Sequence, residues 1–493
     1  MRKSDKIFIL PIILLGLNFC YRLINTASII KTFPLDSVND LVAYISTLHF
    51  FQEYGYLNVV PNWYNGFILF KAAAPGWYFF TYPIYRIFGD IMLSTYISII
   101  LLFILGGVGC ILLGKQLKIT KIKIIALFLF IFANPMAIGA FLKQGRVLEL
   151  MALVILLYIT SLALYFKDNK IDWKISLLSF LYGLLIITHQ AESILTSIFL
   201  LGLILIKKRT ERLYIILALI VGIILSSFWS FQFIFGARNL GILENEYGMW
   251  LLDFSIARFG LSNILLILLP IFLISIFFYL KREKKNLIFY SPLIILAILV
   301  LLRLVIFLPI IKQIYPDPYI NFFLIFSTIF LVSLHFNRIS KKTKTALFIV
   351  LIVISIFSVT YNITQTPTFK PHTEIQIDYI NLAPKINGTY LIFSQEGDVY
   401  RRAYYSYTAI FHNKNTADGW SSWYKEADYN AELIKKGEFW ENKDCSLLIE
   451  RLDKFNVTEI ISQKQECSIF VEKCGFILKE NEGNVCLLEV AKI

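Results

Sequence analysis

Eleven runs of predominantly apolar residues occupy the first 361 positions, at 7–24, 91–113, 124–141, 148–166, 175–188, 192–206, 213–235, 261–280, 287–311, 320–336 and 345–361. A helix needs roughly 20 such residues to cross a bilayer. Backbone in lipid must also satisfy its own hydrogen bonds, which leaves helices as the spanning elements for runs of this kind. The pattern therefore predicts a polytopic α-helical membrane protein. The fifth and sixth runs are short and enclose His189-Gln190-Ala191-Glu192, so they read as a hairpin rather than one long helix. Only 16% of residues are charged, against about 25% in a soluble domain.

The charges that remain give an orientation. Alternate connections carry Arg2/Lys3/Lys6, Lys115/Lys118/Lys121/Lys123, Lys167/Lys170/Lys174, Lys207/Lys208/Arg209/Arg212, Lys281/Arg282/Lys284/Lys285 and Arg338/Lys341/Lys342/Lys344. Eleven spans bring all six clusters to one side, which the positive-inside rule makes cytoplasmic. The N-terminus is then cytoplasmic and every long connection extracytoplasmic. The net charge of +13 is this clustering and not a nucleic-acid surface, since residues 362–493 hold 15 Lys/Arg against 19 Asp/Glu. Met1-Arg2-Lys3 precedes an apolar run, but no small-x-small cleavage site follows, so 7–24 reads as a retained helix.

The loop at 34–90 is too polar and too rich in proline to span, and too aromatic for an idle linker. It holds Asp36 and Asp40, a mixed aromatic run from Ala43 to Tyr56, Pro61-Asn62-Trp63-Tyr64-Asn65-Gly66, Pro75-Gly76-Trp77 and Tyr82-Pro83-Ile84-Tyr85. Trp and Tyr at this density suit a segment at headgroup level, with two acids held above a platform that faces a lipid-borne substrate. The plainer reading is an anchor with solvated acids, or an Asp that only caps a helix.

Residues 1–361 thus read as a transmembrane domain and 362–493 as a soluble domain. Tyr390–Phe393 and Glu459–Ile461 read as buried strands and Ser446–Phe455 as an amphipathic helix. Phe476–Leu478 and Val485–Val490 read as a hairpin about Glu482-Gly483-Asn484, giving an α/β or α+β fold. Cys445, Cys467, Cys474 and Cys486 in an oxidising compartment predict disulfides, with three pairings open. The sequons at Asn362, Asn387 and Asn456 fit an extracytoplasmic location.

Ionisable groups within membrane segments mark function, and here they gather at the extracytoplasmic ends. Arg146 suits a phosphate by its planar fork, or pairs with Glu149 one turn on. His189 and Glu192 hold a divalent metal or pair with each other. Arg303 falls inside the ninth run. The 236–260 connection offers Arg238 and Arg258, long enough to help cover a site. A transporter places such groups at the midplane; an enzyme of the membrane surface places them here. There is no phosphate-cradling glycine motif, GxSxG or HExxH.

In their order, these patterns resemble the GT-C superfamily of membrane glycosyltransferases. They are most similar to the polytopic group labelled "6-pyruvoyl-tetrahydropterin synthase-related", a label that implies no pterin chemistry. Asp36-Ser37 opens the first loop as in that group, Pro61–Gly66 resembles its P-x-W-x-x-G and Tyr82–Tyr85 its Y-P-x-x-Y. Gly145–Glu149 resembles its G-R-x-x-E, Thr188-His189 its T-H, and Leu447–Val490 its soluble end domain. The group carries His four residues after the first acid, where this chain has Asp40, so which of the two acids acts stays open.

The resemblance implies transfer of a sugar from a polyprenyl-phosphate-linked donor, at the outer membrane face, to a protein or glycan acceptor. Asp36 and Asp40 are the catalytic expectation. Arg146, Glu149, His189, Glu192, Trp63, Arg238 and Arg258 are the substrate-binding one. A divalent Mg or Mn ion has Asp36, Asp40, His189 and Glu192 as its ligand candidates. The competing readings are a non-catalytic scaffold for cell-envelope assembly and a lipid-linked saccharide transporter.

Overall fold

The computed structural model describes the chain apart from residues 1–2, 36–39, 72, 135–136, 138–140, 143, 240–260, 282, 335–340, 366–368, 370, 394–400, 421–424, 426–427, 430–432, 434–443 and 491–493. Each apolar run falls on a helix: α1 (Ile9–Thr26), α4 (Ile91–Gln116), α5 (Lys121–Phe132), α6 (Val147–Asp168), α7 (Ile175–Thr188), α8 (Gln190–Ile206), α9 (Arg209–Asn239), α10 (Leu261–Leu280), α11 (Leu287–Leu301), α12 (Pro316–Ser333) and α13 (Lys341–Gln365). Six helices among the described residues are long and apolar enough to cross a membrane, and four shorter apolar helices accompany them. The turn at His189 separates α7 from α8, as the sequence predicts. The ninth run is shorter than expected: α11 ends at Leu301, and Arg303 follows it with φ +61°.

Burial ranks these helices. The apolar windows of α6 and α12 are 83% and 89% enclosed by protein, against 33% for α1 and 22% for the window within α13. Leu17, Ile224, Phe231 and Phe357 stay exposed, as lipid-facing side chains do. Of the six long helices among the described residues, α6 and α12 are the most enclosed, and their N-terminal turns carry Glu149 and Asp317.

The 34–90 connection is folded. It forms α2 (Leu41–Tyr54), a short antiparallel pair of β1 (Val59–Val60) with β2 (Phe67–Ile68), and α3 (Gly76–Phe88). Asp90 then caps α4 by accepting from the backbone N–H groups of Met92 and Leu93, an ordinary use of Asp. The aromatic residues do not form a platform. Trp63 and Trp77 are fully buried, as are Tyr64 and Tyr78 to within 1%, and Trp63 packs edge-on against Phe50 at 4.9 Å.

The C-terminal part has its own apolar core around a four-stranded sheet. β3 (Tyr390–Phe393) runs parallel to β4 (Glu459–Gln463). β6 (Val485–Glu489) pairs antiparallel with both β4 and β5 (Ile477–Glu482), giving the order 3-4-6-5. The helices α14 (Glu374–Leu382), α15 (Arg401–His412), α16 (Cys445–Lys454) and α17 (Lys464–Cys474) surround it. Of the three open pairings, the structure has Cys445–Cys474 and Cys467–Cys486. Asn387 and Asn456 are exposed, whereas Asn362 is fully buried in α13, so its sequon is no surface signal.

The first connection is bolted to this part through the Pro61–Gly66 segment. Asn62 accepts from the Thr416 backbone N–H, and the backbone N–H groups of Tyr64 and Asn65 donate to Asp418 and Thr416. The Trp63 indole donates to the Tyr405 carbonyl at 3.3 Å. Asn65 Nδ2 donates to the Phe455 carbonyl at 2.7 Å.

Candidate functional site

Four segments meet at the end of the bundle that carries the folded first connection. Gly145 turns the chain at φ +69°, a conformation that glycine adopts freely, and places Arg146 at the N-cap of α6. The Arg146 guanidinium then serves three carboxylates. Its Nη1 donates to Glu149 Oε1 at 3.3 Å and to Asp317 Oδ2, and its Nε lies 3.5 Å from Asp40 Oδ2. One cation thus ties the first connection to α6 and α12.

The four side chains are graded in depth. Asp40 is 38% exposed and Arg146 26%, while Glu149 and Asp317 are 11% and 12%. Asp40 forms the open rim and the other two acids the floor. Asp40 occupies the N-cap position of α2, yet its carboxylate makes no capping hydrogen bond; it faces Arg146 instead. Its place in a recess pushes the carboxyl above the ordinary carboxylate range through burial, with Arg146 and Arg402 pulling the other way. Burial opposes the charge of Arg146, but Glu149, Asp317 and Asp40 outweigh it and hold the guanidinium above its usual value.

Beside the same cluster, His189 ends α7 in an extended conformation and occupies the N-cap position of α8 without a capping hydrogen bond from its side chain. Its Nδ1 lies against Glu192 Oε2. Glu192 is 1% exposed, and both it and His189 are within electrostatic reach of Glu149. Glu149 Oε2 and Glu192 Oε1 have no hydrogen-bond partner among the described residues. This turn is held against α3 by close contact. A Cβ on Gly76 would lie 2.3 Å from Thr188 Oγ1 and 2.9 Å from the Ile187 carbonyl, so only glycine lets Pro75-Gly76-Trp77 reach the Thr188-His189 turn.

The ligand set expected for a metal is not assembled among the described residues. No group of three His, Cys, Asp or Glu stands together there in a way that would hold an ion. The Asp40 carboxylate is taken up by Arg146, His189 by Glu192, and Asp36 lies outside the described residues.

No family model matches the chain. No curated protein matches it either. Solved structures do match. AglB, an oligosaccharyltransferase of Archaeoglobus fulgidus in complex with an inhibitory peptide and a dolichol-phosphate, is similar at TM-score 0.56 and 10% identity, over 93% of this chain and 71% of that one. A mutant form of the arabinofuranosyltransferase AftD from Mycobacteria gives TM-score 0.59 at 13% identity, over 97% of this chain and 41% of the much longer AftD. Apo ArnT from Cupriavidus metallidurans gives 0.51 at 11% identity, over 92% of this chain and 93% of that one. This chain has the GT-C fold. At these identities the likeness is one of fold.

Within that fold, the residues singled out from sequence separate into groups. Asp40, Arg146, Glu149, His189 and Glu192 come together. Trp63 does not join them as a substrate-facing ring, because it is sealed between Phe50 and the Tyr405 carbonyl. Asp36 and Arg258 lie outside the described residues, and for Arg238 only the backbone, near the end of α9, is described. Two residues were missed. Asp317 lies in the first turn of α12, flanked by Pro316 and Pro318; an acid between prolines opening a helix is the signal that was present. Arg402, on α15, stands within electrostatic reach of Asp40, and nothing local marks it.

Proposed function

We propose that the protein is a membrane glycosyltransferase that moves a sugar from a polyprenyl-phosphate-linked donor to a protein or glycan acceptor at the outer membrane face. The observation that carries this reading is the half-exposed Asp40 carboxylate, unused as a cap and set beside Arg146 at the rim of a buried acidic cluster in a GT-C fold. The dolichol-phosphate in the AglB complex supports the class of donor. On this reading residues 1–361 are the transmembrane domain, with a cytoplasmic N-terminus, and 362–493 an extracytoplasmic domain lying over the site.

The reaction is a displacement at the anomeric carbon with oxocarbenium character. The bond from that carbon to the phosphate oxygen breaks, and its electron pair leaves with the phosphate. A bond to the acceptor oxygen or nitrogen forms, and the acceptor proton passes to a carboxylate. Asp36 and Asp40 are the two acids for that role. Asp40 carries a carboxyl made more basic by its recess, and Arg146 orients it. Glu149 and Asp317 fix the Arg146 fork from below, and the His189–Glu192 pair closes the floor. With the Asp40 carboxylate engaged by Arg146 and His189 by Glu192, the described residues do not fit a divalent ion, and no step is routed through one.

The test is Asp40→Asn and Asp36→Asn, singly and together, in purified full-length protein supplied with radiolabelled lipid-linked sugars. Folded protein with transfer reduced by at least about 100-fold, the usual scale for an acid–base group, is the expected outcome for the acting acid. Transfer at the parental rate by both single variants and the double variant refutes the assignment.

A further inference from the structure

Arg146 is a poor sole partner for a donor phosphate. Its fork is already divided among Asp40, Glu149 and Asp317, so an anion arriving above Asp40 meets a cluster whose carboxylates outnumber its cation. Attraction at short range needs a second cation that is not spent on the protein's own acids.

The arrangement of two helices supplies one. Tyr54, the last residue of α2, donates from its hydroxyl to Asn62 Oδ1 at 2.7 Å, and Asn62 Nδ2 donates to Asn413 Oδ1 at 2.9 Å, just past the end of α15. Earlier in both helices, Trp63 packs on Phe50 of α2 and donates to the Tyr405 carbonyl of α15. The two helices therefore lie side by side and run the same way. Followed back at 1.5 Å per residue, Asp40 lies roughly 21 Å from Tyr54 and Arg402 roughly 17 Å from Asn413, which brings both to the same end. Arg402 is exposed, and among the described residues it forms no ion pair within 4 Å.

We propose that Arg402 binds the phosphate of the lipid-linked donor, reaching from the C-terminal region over Asp40 to hold the phosphate oxygens in its fork. The inference rests on the proposed donor class and deepens it. Guanidinium–phosphate hydrogen bonds are charge-assisted and bidentate. A donor held this way lies between Arg402 above and Asp40 below, with its leaving oxygen facing the cation. The C-terminal region is then part of the site and not an appendage, because the docking of Trp63 and Asn62 sets how far Arg402 reaches.

The experiment uses full-length protein in lipid nanodiscs with farnesyl phosphate, farnesol and inorganic phosphate as probes, and compares the parent with Arg402→Gln and Arg402→Lys. Farnesyl phosphate is expected to bind the parent, to weaken about tenfold or more in Arg402→Gln and to weaken less in Arg402→Lys. Farnesol binding is expected to be the same in all three. Arg402→Gln binding farnesyl phosphate as tightly as the parent overturns the inference while leaving the donor class standing. A parent that binds no farnesyl phosphate removes the donor class itself, a separate result. Inorganic phosphate binding as tightly as farnesyl phosphate, with the same dependence on Arg402, makes the ligand free phosphate and overturns the lipid assignment. Melting without ligand guards against a latch: a fall in Arg402→Gln that Arg402→Lys reverses, with farnesyl phosphate affinity unchanged, also overturns it.

Discussion

Removing Arg146 tests whether one guanidinium organises the site. Glu149 and Asp317 have side chains 11% and 12% exposed and share Arg146 Nη1. In Arg146→Met the hydrocarbon stem is kept and the charge is lost, which leaves two enclosed carboxylates facing each other. Stripping the partner from a buried ion pair costs about 3–5 kcal/mol. The Asp40 contact adds little, since that side chain is 38% exposed and pairs in contact with solvent are worth about 1 kcal/mol or less. The expected loss is therefore about 3–5 kcal/mol, read as a lowered melting temperature of the purified protein in detergent, with transfer abolished. The cause is checked by a cycle. Adding Glu149→Gln and Asp317→Asn removes the unpaired charges, so the triple variant should regain most of the lost stability while transfer stays absent, a non-additivity expected of contacting groups. Arg146→Met melting within about 0.5 kcal/mol of the parent, the scale of an unremarkable surface change, would refute the reasoning.

Three further outcomes follow from other contacts. Asp40 titrates above its unfolded value because of its recess, so the fold favours the neutral acid; that stability is complete below the unfolded value and is lost as pH rises through the raised folded one. Asp40→Asn should thus gain on the parent in melting temperature as pH rises from about 4 to 8, while parental transfer rises over the same titration; a gap that does not change with pH counts against it. Gly76→Ala drives a methyl into Thr188 and the Ile187 carbonyl and should cost about 1–3 kcal/mol, which Thr188→Ala fails to restore because backbone atoms are also in the way; full restoration would show that only the hydroxyl matters. The disulfides close loops of 29 and 19 residues, for which the chain-entropy relation gives about 3–4 kcal/mol each; unchanged melting after complete reduction of both would contradict it.

What could be read from the sequence was whatever chemistry acts along the chain. Eleven apolar runs became helices because a helix in lipid depends on its own composition. The hairpin at His189 followed because a polar quartet between two short runs has no other place to go. The same locality explains the Arg146–Glu149 pair, three residues apart, and the strands and terminal hairpin of residues 390–489. The aromatic first connection shows where that reasoning stops. Density of Trp and Tyr signals either a membrane interface or a buried core, since both offer an apolar body with a place for a polar atom. The choice at Trp63 was made by Tyr405, 342 residues away, whose carbonyl takes the indole N–H. Asp317 stayed hidden for the same reason, 171 residues from the guanidinium it binds.

These distant contacts have a common consequence for the site. Asp40 faces Arg146 from the start of α2, a helix tied at its other end to the C-terminal region through Asn62 and along its length through Trp63. Arg146 is fixed in turn by acids at the starts of the two most enclosed spans. The rim of the site is thus carried by a docked surface segment and its floor by the rigid interior of the bundle. Releasing the hydrogen bonds made by Asn62, Trp63 and Asn65 would therefore uncouple Arg402 from Asp40 while leaving Arg146, Glu149 and Asp317 in place.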